Sequence, residues 1–293
     1  MLKLPRRLTI GSWLDRFLLD LEAAITTASP GRFELDFSDV GFADPAGVVT
    51  LANACAFLRT KGFLPVAQTP LPSGEGIRYL TDSRFFEFFA NPDATDLTPG
   101  RSTTFPLTRV RNDQAYDLLT NTFSPWLSRR LEISNASLEQ LRMCLGELFN
   151  NISDHADVST GFFFAQHYPN DQRVRIALAD FGLGIPARVR KLAPLLDDAW
   201  ALSKAFEEGF STKTTPRNRG AGLDWLKRYV VETNGGVIHV YSHLGRLIAS
   251  PHTDGTTFEP SLGQGHFPGV LYYIALRTDT IEPVEETREA LEW

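Results

Sequence analysis

The sequence has few cysteines and no long apolar run, and these absences exclude two classes of protein. Its two cysteines, Cys55 and Cys144, each lie within an apolar helical pattern. Two cysteines cannot build a disulfide framework, so we expect a reducing compartment. No stretch approaches the ~18 to 20 apolar residues that span a bilayer, and no signal peptide is visible before Asp15. We therefore predict a cytoplasmic protein with no membrane partner.

The sequence also lacks an excess of positive charge. Its formal net charge at pH 7 is −6, from 29 Lys and Arg residues against 35 Asp and Glu residues. Such a chain offers no basic stripe for phosphate backbones, so we do not expect direct binding of nucleic acid or a DNA-remodelling ATPase. Apolar residues make up 43% of the 293 residues, which is enough to bury a large core.

The N-terminal part alternates helical and extended patterns. The predicted order is helix, strand, helix, strand, helix, at residues 11–28, 33–37, 45–61, 63–67 and 77–90. In the second helix Asp44 is placed to cap the first turn, and Pro45 suits the first helical position. The strand-helix-strand order predicts a parallel pair of strands with a covering helix.

The segment from Phe33 to Gly47 resembles the STAS fold of anti-sigma-factor antagonists. In both, a strand runs into a tight turn at a helix start, and the resemblance covers about residues 10–95. It implies a STAS-like α/β domain, residues 1–105, that serves as a scaffold or as a docking surface. Positions 45 and 46 are Pro and Ala, so the phosphorylatable serine of that family is missing. A generic small α/β layer is the alternative.

The second half begins after residues 92–112, which are rich in Pro, Asp, Thr, Gly and Arg. We place the domain boundary near residue 105, with a second domain at 106–293. Helical patterns are predicted at 114–130, 138–152, 188–208 and 223–233, and strands at 162–168, 174–180, 237–242 and 270–276. Pro169 to Asp171 predict a hairpin turn, and residues 249–269 predict a long Gly/Pro/Thr loop.

The central helix carries polar residues beside its buried stripe. The stripe consists of Leu138, Leu141, Leu145, Leu148 and Ile152, with Ser137 as the predicted cap. Glu147, Asn151 and His155 recur at steps of four, which stacks a carboxylate, an amide and an imidazole on one neighbouring stripe. This pattern indicates either the edge of a functional pocket or an ordinary polar helix flank.

Two glycine motifs follow the central helix. Asp180-Phe-Gly-Leu-Gly-Ile185 comes directly after a predicted strand, and Gly220-Ala-Gly222 opens the helix that starts at Leu223. Each motif alone is weak, because glycines also mark ordinary turns. The order of the three motifs resembles the GHKL ATPase superfamily, which includes gyrase, MutL, histidine kinases and anti-sigma-factor serine kinases, over about residues 110–280. The resemblance implies a Bergerat α/β sandwich with a mixed sheet covered by helices on one face.

The resemblance implies that the cofactors are ATP and Mg²⁺. The position of Glu147 is that of the general base, and Asn151 is the expected Mg²⁺ ligand, with His155 in support. Asp180 would accept a hydrogen bond from the adenine amino group, which selects adenine over guanine.

The remaining residues carried over are expected to surround the nucleotide. Gly182 and Gly184 would let the backbone approach the base, with Ile185 beside them. Lys213 is the expected phosphate cation. Gly220, Gly222 and Leu223 would bring backbone N–H groups to the phosphates. Arg217 and Arg219 are either lid charges or members of a solvated loop.

The resemblance leaves two functions open. The first is an ATPase or a serine/threonine protein kinase of the anti-sigma-factor type, and the second is a nucleotide-gated interaction module with slow or no hydrolysis. Either function implies a regulatory protein partner, and a homodimer is allowed. Gly269-Val270 stand where some relatives carry Gly-Thr before the last strand. A sensor histidine kinase is disfavoured, because no paired helices with an exposed phospho-acceptor histidine precede the domain.

Overall fold

A computed structural model describes residues 1–68, 70–91, 100–153, 160–210 and 222–284. These residues form a mixed α/β protein with parallel and antiparallel sheets. The strands are β1 (Leu2–Lys3), β2 (Arg7–Leu8), β3 (Gly31–Asp36), β4 (Phe42–Ala43), β5 (Phe63–Ala67), β6 (Thr104–Arg111), β7 (Thr160–Tyr168), β8 (Arg173–Asp180), β9 (Val237–His252) and β10 (Gly255–Arg277). The helices are α1 (Ser12–Thr27), α2 (Pro45–Thr60), α3 (Glu75–Asp82), α4 (Phe85–Ala90), α5 (Asn112–Asp117), α6 (Ser124–Leu131), α7 (Glu139–Ser153), α8 (Ile185–Val189), α9 (Asp198–Ala205) and α10 (Gly222–Lys227). Within the described ranges, no helix has the length and apolar character to cross a membrane.

The N-terminal unit follows the predicted strand-helix-strand order. Strands β1, β3 and β5 form a parallel sheet, and α2 connects β3 to β5. The helix start is also as predicted, because Asp44 Oδ1 accepts a hydrogen bond from the Gly47 N–H (3.0 Å) and Pro45 is the first helical residue. The capping residue therefore defines where α2 begins.

The predicted helix over 77–90 is two helices. Arg84 has a left-handed backbone with φ 67°, which separates α3 from α4. The Leu107 N–H in β6 donates to the freed Ser83 carbonyl (2.9 Å). This break between the helices directs the side chains of Phe85 and Phe88 into the core. The pattern 188–208 is likewise two helices, because Pro194 interrupts it and Asp197 caps α9 through the Trp200 N–H.

The second sheet has the order β6-β7-β8-β10-β9, and each pair of neighbours in it is antiparallel. The expectation of a mixed sheet in this half is therefore wrong, and the parallel pairs lie in the N-terminal sheets. For two of the four pairs the reason is connectivity. A short turn at Pro169–Asp171 joins β7 to β8 as predicted, and Thr253-Asp254 joins β9 to β10. Tight hairpins impose antiparallel pairing.

Residues 249–269 are not a loop. They belong to the ends of β9 and β10, which pair from Gly255↔His252 to Leu262↔Gly245 as a two-stranded ribbon beyond the sheet. Two prolines fit there, because the ribbon leaves one edge of each strand unpaired. These are Pro251 and Pro260. The composition predicted a loop, whereas hairpin pairing with a partner strand decides the structure.

Among the described residues, the helices that follow β6 pack on one face of the five-stranded sheet, as expected, and the N-terminal unit covers the other face. Phe163 and Ala165 of β7 pack with the buried α7 stripe, and Phe162 and Phe164 pack with the core of the N-terminal unit. A strand that is apolar at successive positions is buried on both sides. The N-terminal unit therefore shares a core with the sheet, while the domain boundary near residue 105 stays a prediction.

The central helix α7 buries Leu141, Leu145 and Leu148 as predicted, and Leu138 is buried just before it. Its start differs from the prediction, because a 3₁₀ turn at Ala136–Leu138 precedes it. Ser137 is not the cap: its Oγ accepts a hydrogen bond from the Val284 N–H (2.7 Å). Both cysteines are free and buried.

Candidate functional site

Two polar residues of the predicted pocket lie at the C-terminal end of α7. Glu147 and Asn151 are one helical turn apart and half-buried, beside the fully buried Leu148. The four-residue spacing places both side chains on one face of the helix. A carboxylate and an amide are therefore presented together at the edge of the core.

Gly222 approaches this pair closely. A Cβ atom at Gly222 would lie 3.3 Å from both Cβ and Oε2 of Glu147, and 3.8 Å from Asn151 Nδ2. The first turn of α10 can come this near because the residue has no side chain. The third motif of the sequence thus meets the first, across 71 residues of chain. Leu223 follows as a half-buried residue.

Asp180 lies at the end of β8 with its carboxyl group buried. Its Oδ1 accepts a hydrogen bond from the Gly182 N–H (2.7 Å). Burial raises the pKa of Asp180 to about 6, against the opposing effects of this hydrogen bond, the Arg188 charge and the Val270 backbone. The group is therefore ionised at neutral pH and charged in a poorly hydrated place.

Gly269 packs directly on Asp180, which the sequence reading did not anticipate. A Cβ atom there would lie 2.2 Å from the Asp180 carbonyl oxygen and 2.6 Å from Oδ1, and its φ is 86°. Only glycine fits both the contact and the backbone conformation. The sequence signal for this contact is a glycine directly before the strand predicted at 270–276.

The glycine loop after Asp180 is fixed onto β9. Gly184 has φ 78°, and a Cβ there would lie 2.6 Å from His243 Nε2 and 2.8 Å from Ser242 Oγ. The Ile185 N–H donates to Ser242 Oγ (3.1 Å), and His243 Nε2 donates to the Leu183 carbonyl oxygen (3.0 Å). The loop conformation therefore depends on β9, and His243 has a structural role in holding it.

Arg188 joins the first motif to the second. Its Nε donates to the Gly184 carbonyl oxygen (3.1 Å), and its Nη1 donates to the Asn151 carbonyl oxygen (3.1 Å). The side chain is buried, and its positive charge favours the ionised form of Asp180. Arg188 stands at the start of the helical pattern predicted at 188–208, where nothing in the neighbouring sequence marks it as a site residue.

Tyr272 of β10 adds a buried hydroxyl group to the same region. Burial raises the pKa of this hydroxyl group. The charge of Arg188 lowers the pKa, and the charge of Asp180 raises it. Within the described ranges this hydroxyl has no hydrogen-bond partner. A buried polar group without a partner is uncommon in folded proteins.

Several predicted site residues lie outside the described residues. These are His155, Lys213 and Gly220, together with Arg217 and Arg219. Their expected roles stay predictions. No three His, Cys, Asp or Glu side chains cluster as metal ligands in the part of the chain that the structure describes. In comparisons with known proteins, no protein-family model and no curated protein matches the chain.

Proposed function

We propose that the chain is a Mg²⁺-dependent ATP-binding protein of the GHKL type, with a STAS-like N-terminal domain at 1–105 and an ATP-binding domain at 106–293. It acts in regulatory signalling as an ATPase or a serine/threonine protein kinase of the anti-sigma-factor type. One observation carries the proposal: three motifs that are distant in sequence converge at the end of α7. Gly222 contacts Glu147, and Arg188 joins Asn151 to Gly184.

The residues around Asp180 fit an adenine base. The adenine amino group is a donor and needs an acceptor, and the buried Asp180 carboxylate provides one. Guanine has an oxygen at this position, which would face the carboxylate and be repelled. Gly182 contributes no side chain beside the carboxylate, and the Tyr272 hydroxyl supplies a further buried polar group. This environment supports selection of adenine.

The residues around Glu147 fit the phosphate end of the nucleotide. Asn151 would offer its side-chain oxygen to Mg²⁺, an ion that prefers oxygen ligands and takes few of them from the protein. α10 and the π-helical segment Arg228–Thr233 form one helical run, and the helix N-terminus at Gly222 suits an anion. Bound Mg·ATP would supply a phosphoryl group whose charge the metal neutralises. Glu147 would accept a proton from the attacking water or hydroxyl group.

The alternative is a nucleotide-gated interaction module with slow or no hydrolysis. It is favoured by the N-terminal unit, which packs on the sheet that carries Asp180 and has buried Pro45 and Ala46 at its helix start. A turn without a hydroxyl group cannot be switched by phosphorylation, so a partner protein or a second copy would respond to the nucleotide state instead.

The test is the fate of γ-labelled ATP, given to the purified chain alone and in a lysate. We expect the label in free phosphate or in a protein band, and Glu147→Gln to lower turnover by at least about 100-fold. Glu139→Gln is the matched control, because Glu139 lies on the same helix, is exposed, and forms an ion pair with Arg142. Full turnover in Glu147→Gln would contradict the enzymatic proposal, and rapid phosphate release without a partner would exclude the interaction module.

A further inference from the structure

We propose that Asn53, a residue of the N-terminal unit, is a positioning residue for the adenine-reading Asp180. The inference rests on the proposed function for the identity of the ligand. It makes the N-terminal unit part of the nucleotide site, acting through one side chain of α2.

The geometry is a bridge between two strand ends. Asn53 Nδ2 donates to the carbonyl oxygen of Asp180 (3.0 Å) and to that of Pro268 (3.4 Å). Both acceptors are carbonyl oxygens, so the amide nitrogen must face them. Asp180 ends β8, and Pro268 lies in β10 just before Gly269, which packs on Asp180. Asn53 thus holds the backbone on both sides of the place where Gly269 packs on Asp180.

Asn53 is a polar residue in a helix that is otherwise buried by apolar packing. It is 1% exposed, and its neighbours on α2 belong to the core that includes Phe162, Phe164 and Ala179 of the sheet. Its Oδ1 has no partner among the described residues. Burying an amide that satisfies only its donor side is unfavourable for stability. An apolar residue would be more favourable for packing alone, so we attribute the presence of the amide to its hydrogen bonds with the Asp180 and Pro268 carbonyl groups.

The orientation of the Asp180 carboxyl group depends on this bridge, because Asn53 holds the backbone from which that side chain extends. The carboxyl group accepts from the Gly182 N–H, which lies two residues further along the same turn. A shift of the Asp180 carbonyl moves the start of this turn and with it the carboxylate. The contact of α2 with the sheet is therefore transmitted to the group that would read adenine.

The experiment compares Asn53→Leu with Thr50→Val in the full-length chain. Thr50 lies one turn earlier on α2, is buried, and has no partner for its Oγ1 among the described residues, so Thr50→Val keeps the shape and removes no bond. Two quantities are measured: the dissociation constant of ADP without Mg²⁺, by calorimetry, and the amide hydrogen exchange of Gly182 without nucleotide, by NMR.

We expect Asn53→Leu to weaken ADP binding by about 5- to 10-fold and to speed Gly182 exchange by a similar factor, as the loss of the buried hydrogen bond to the Asp180 carbonyl implies. Thr50→Val should change neither. If the wild-type chain binds ADP, an unchanged value of either quantity in Asn53→Leu overturns the inference. If the wild-type chain does not bind ADP, the proposed function fails, and Gly182 exchange alone decides the role of Asn53. Should Asn53→Leu not fold, Asn53→Ala removes the same donor without added bulk and is judged by the same criteria.

Discussion

The Arg188 guanidinium donates to the carbonyl oxygen of Asn151 at 3.1 Å, across 37 residues of sequence. The same side chain holds the Gly184 carbonyl oxygen, so one buried cation fixes the end of α7 to the glycine loop. Carbonyl groups near a helix C-terminus lack partners within the helix, and a positive charge there is favourable. Arg188 therefore sets the distance between the proposed metal end and the proposed adenine end of the site.

Removal of Arg188 should separate the two ends of the site. We expect Arg188→Met to lower the free energy of unfolding by about 2 to 3 kcal/mol, since two charge-assisted hydrogen bonds are lost in a buried place. The dissociation constant of ATP should rise about 10-fold or more. Arg190→Met is the control, because Arg190 bonds to Asp198 and Leu196 instead. Equal ATP affinity in the two variants would show that Arg188 does not organise the site.

ADP binding should depend on pH through Asp180. Its pKa is raised to about 6 by burial, so the carboxylate is the main form above that pH and the acid below it. The ionised form is the better acceptor for the adenine amino group. Without Mg²⁺, ADP affinity should therefore fall as the pH drops from 7.5 to about 5. Calorimetric titrations across this range check the prediction, and Asp180→Asn should remove this component of the pH dependence.

Asp180 should also reduce the stability of the empty protein. The native state raises its pKa from 3.8 to about 6, so between these values the folded chain holds the proton more tightly than the unfolded chain. The free energy of unfolding therefore falls as the pH rises from 3.8 to about 6, and the full loss is present above pH 6. We expect Asp180→Asn to gain about 1 to 3 kcal/mol at pH 8, and much less at pH 4, in urea unfolding. A larger gain at pH 4 than at pH 8 would contradict the assignment.

The contact of Gly222 with Glu147 and Asn151 should not tolerate a branched side chain. Gly222→Val places methyl groups into a space where a Cβ alone would already lie 3.3 Å from Glu147. We expect it to weaken Mg²⁺-dependent ATP binding by at least about 10-fold, by displacing both side chains. Gly146→Ala is the control, because a Cβ at Gly146 meets no atom within 4 Å. It should leave binding intact and slightly stabilise α7. Intact ATP binding in Gly222→Val would mean that this contact has no part in the site.

Local patterns predicted the elements whose structure is decided locally. The period of apolar residues located α1 and α7, the turn residues Pro169 to Asp171 located the hairpin of β7 and β8, and the capping by Asp44 located the start of α2. In each case the signal lies within a few residues of the feature it predicts.

Features that depend on distant partners were not predictable in this way. The ribbon of β9 and β10 looked like a loop, because Gly, Pro and Thr are typical of loops and the pairing strand was not recognised. Asn53 lies 127 residues from Asp180, and nothing in its neighbourhood in the sequence indicates that contact. Arg188 and Gly269 are similar, since their roles arise only when α7, β8 and β10 are brought together.

The most direct measurement is calorimetric titration of the full-length chain with ATP and with GTP at millimolar Mg²⁺. The account predicts saturable binding of one ATP per chain, with a dissociation constant between about 1 µM and 1 mM, and much weaker binding of GTP. Failure to bind ATP, or equal affinity for the two nucleotides, would contradict the claim that Asp180, Glu147 and Asn151 form an adenine nucleotide site.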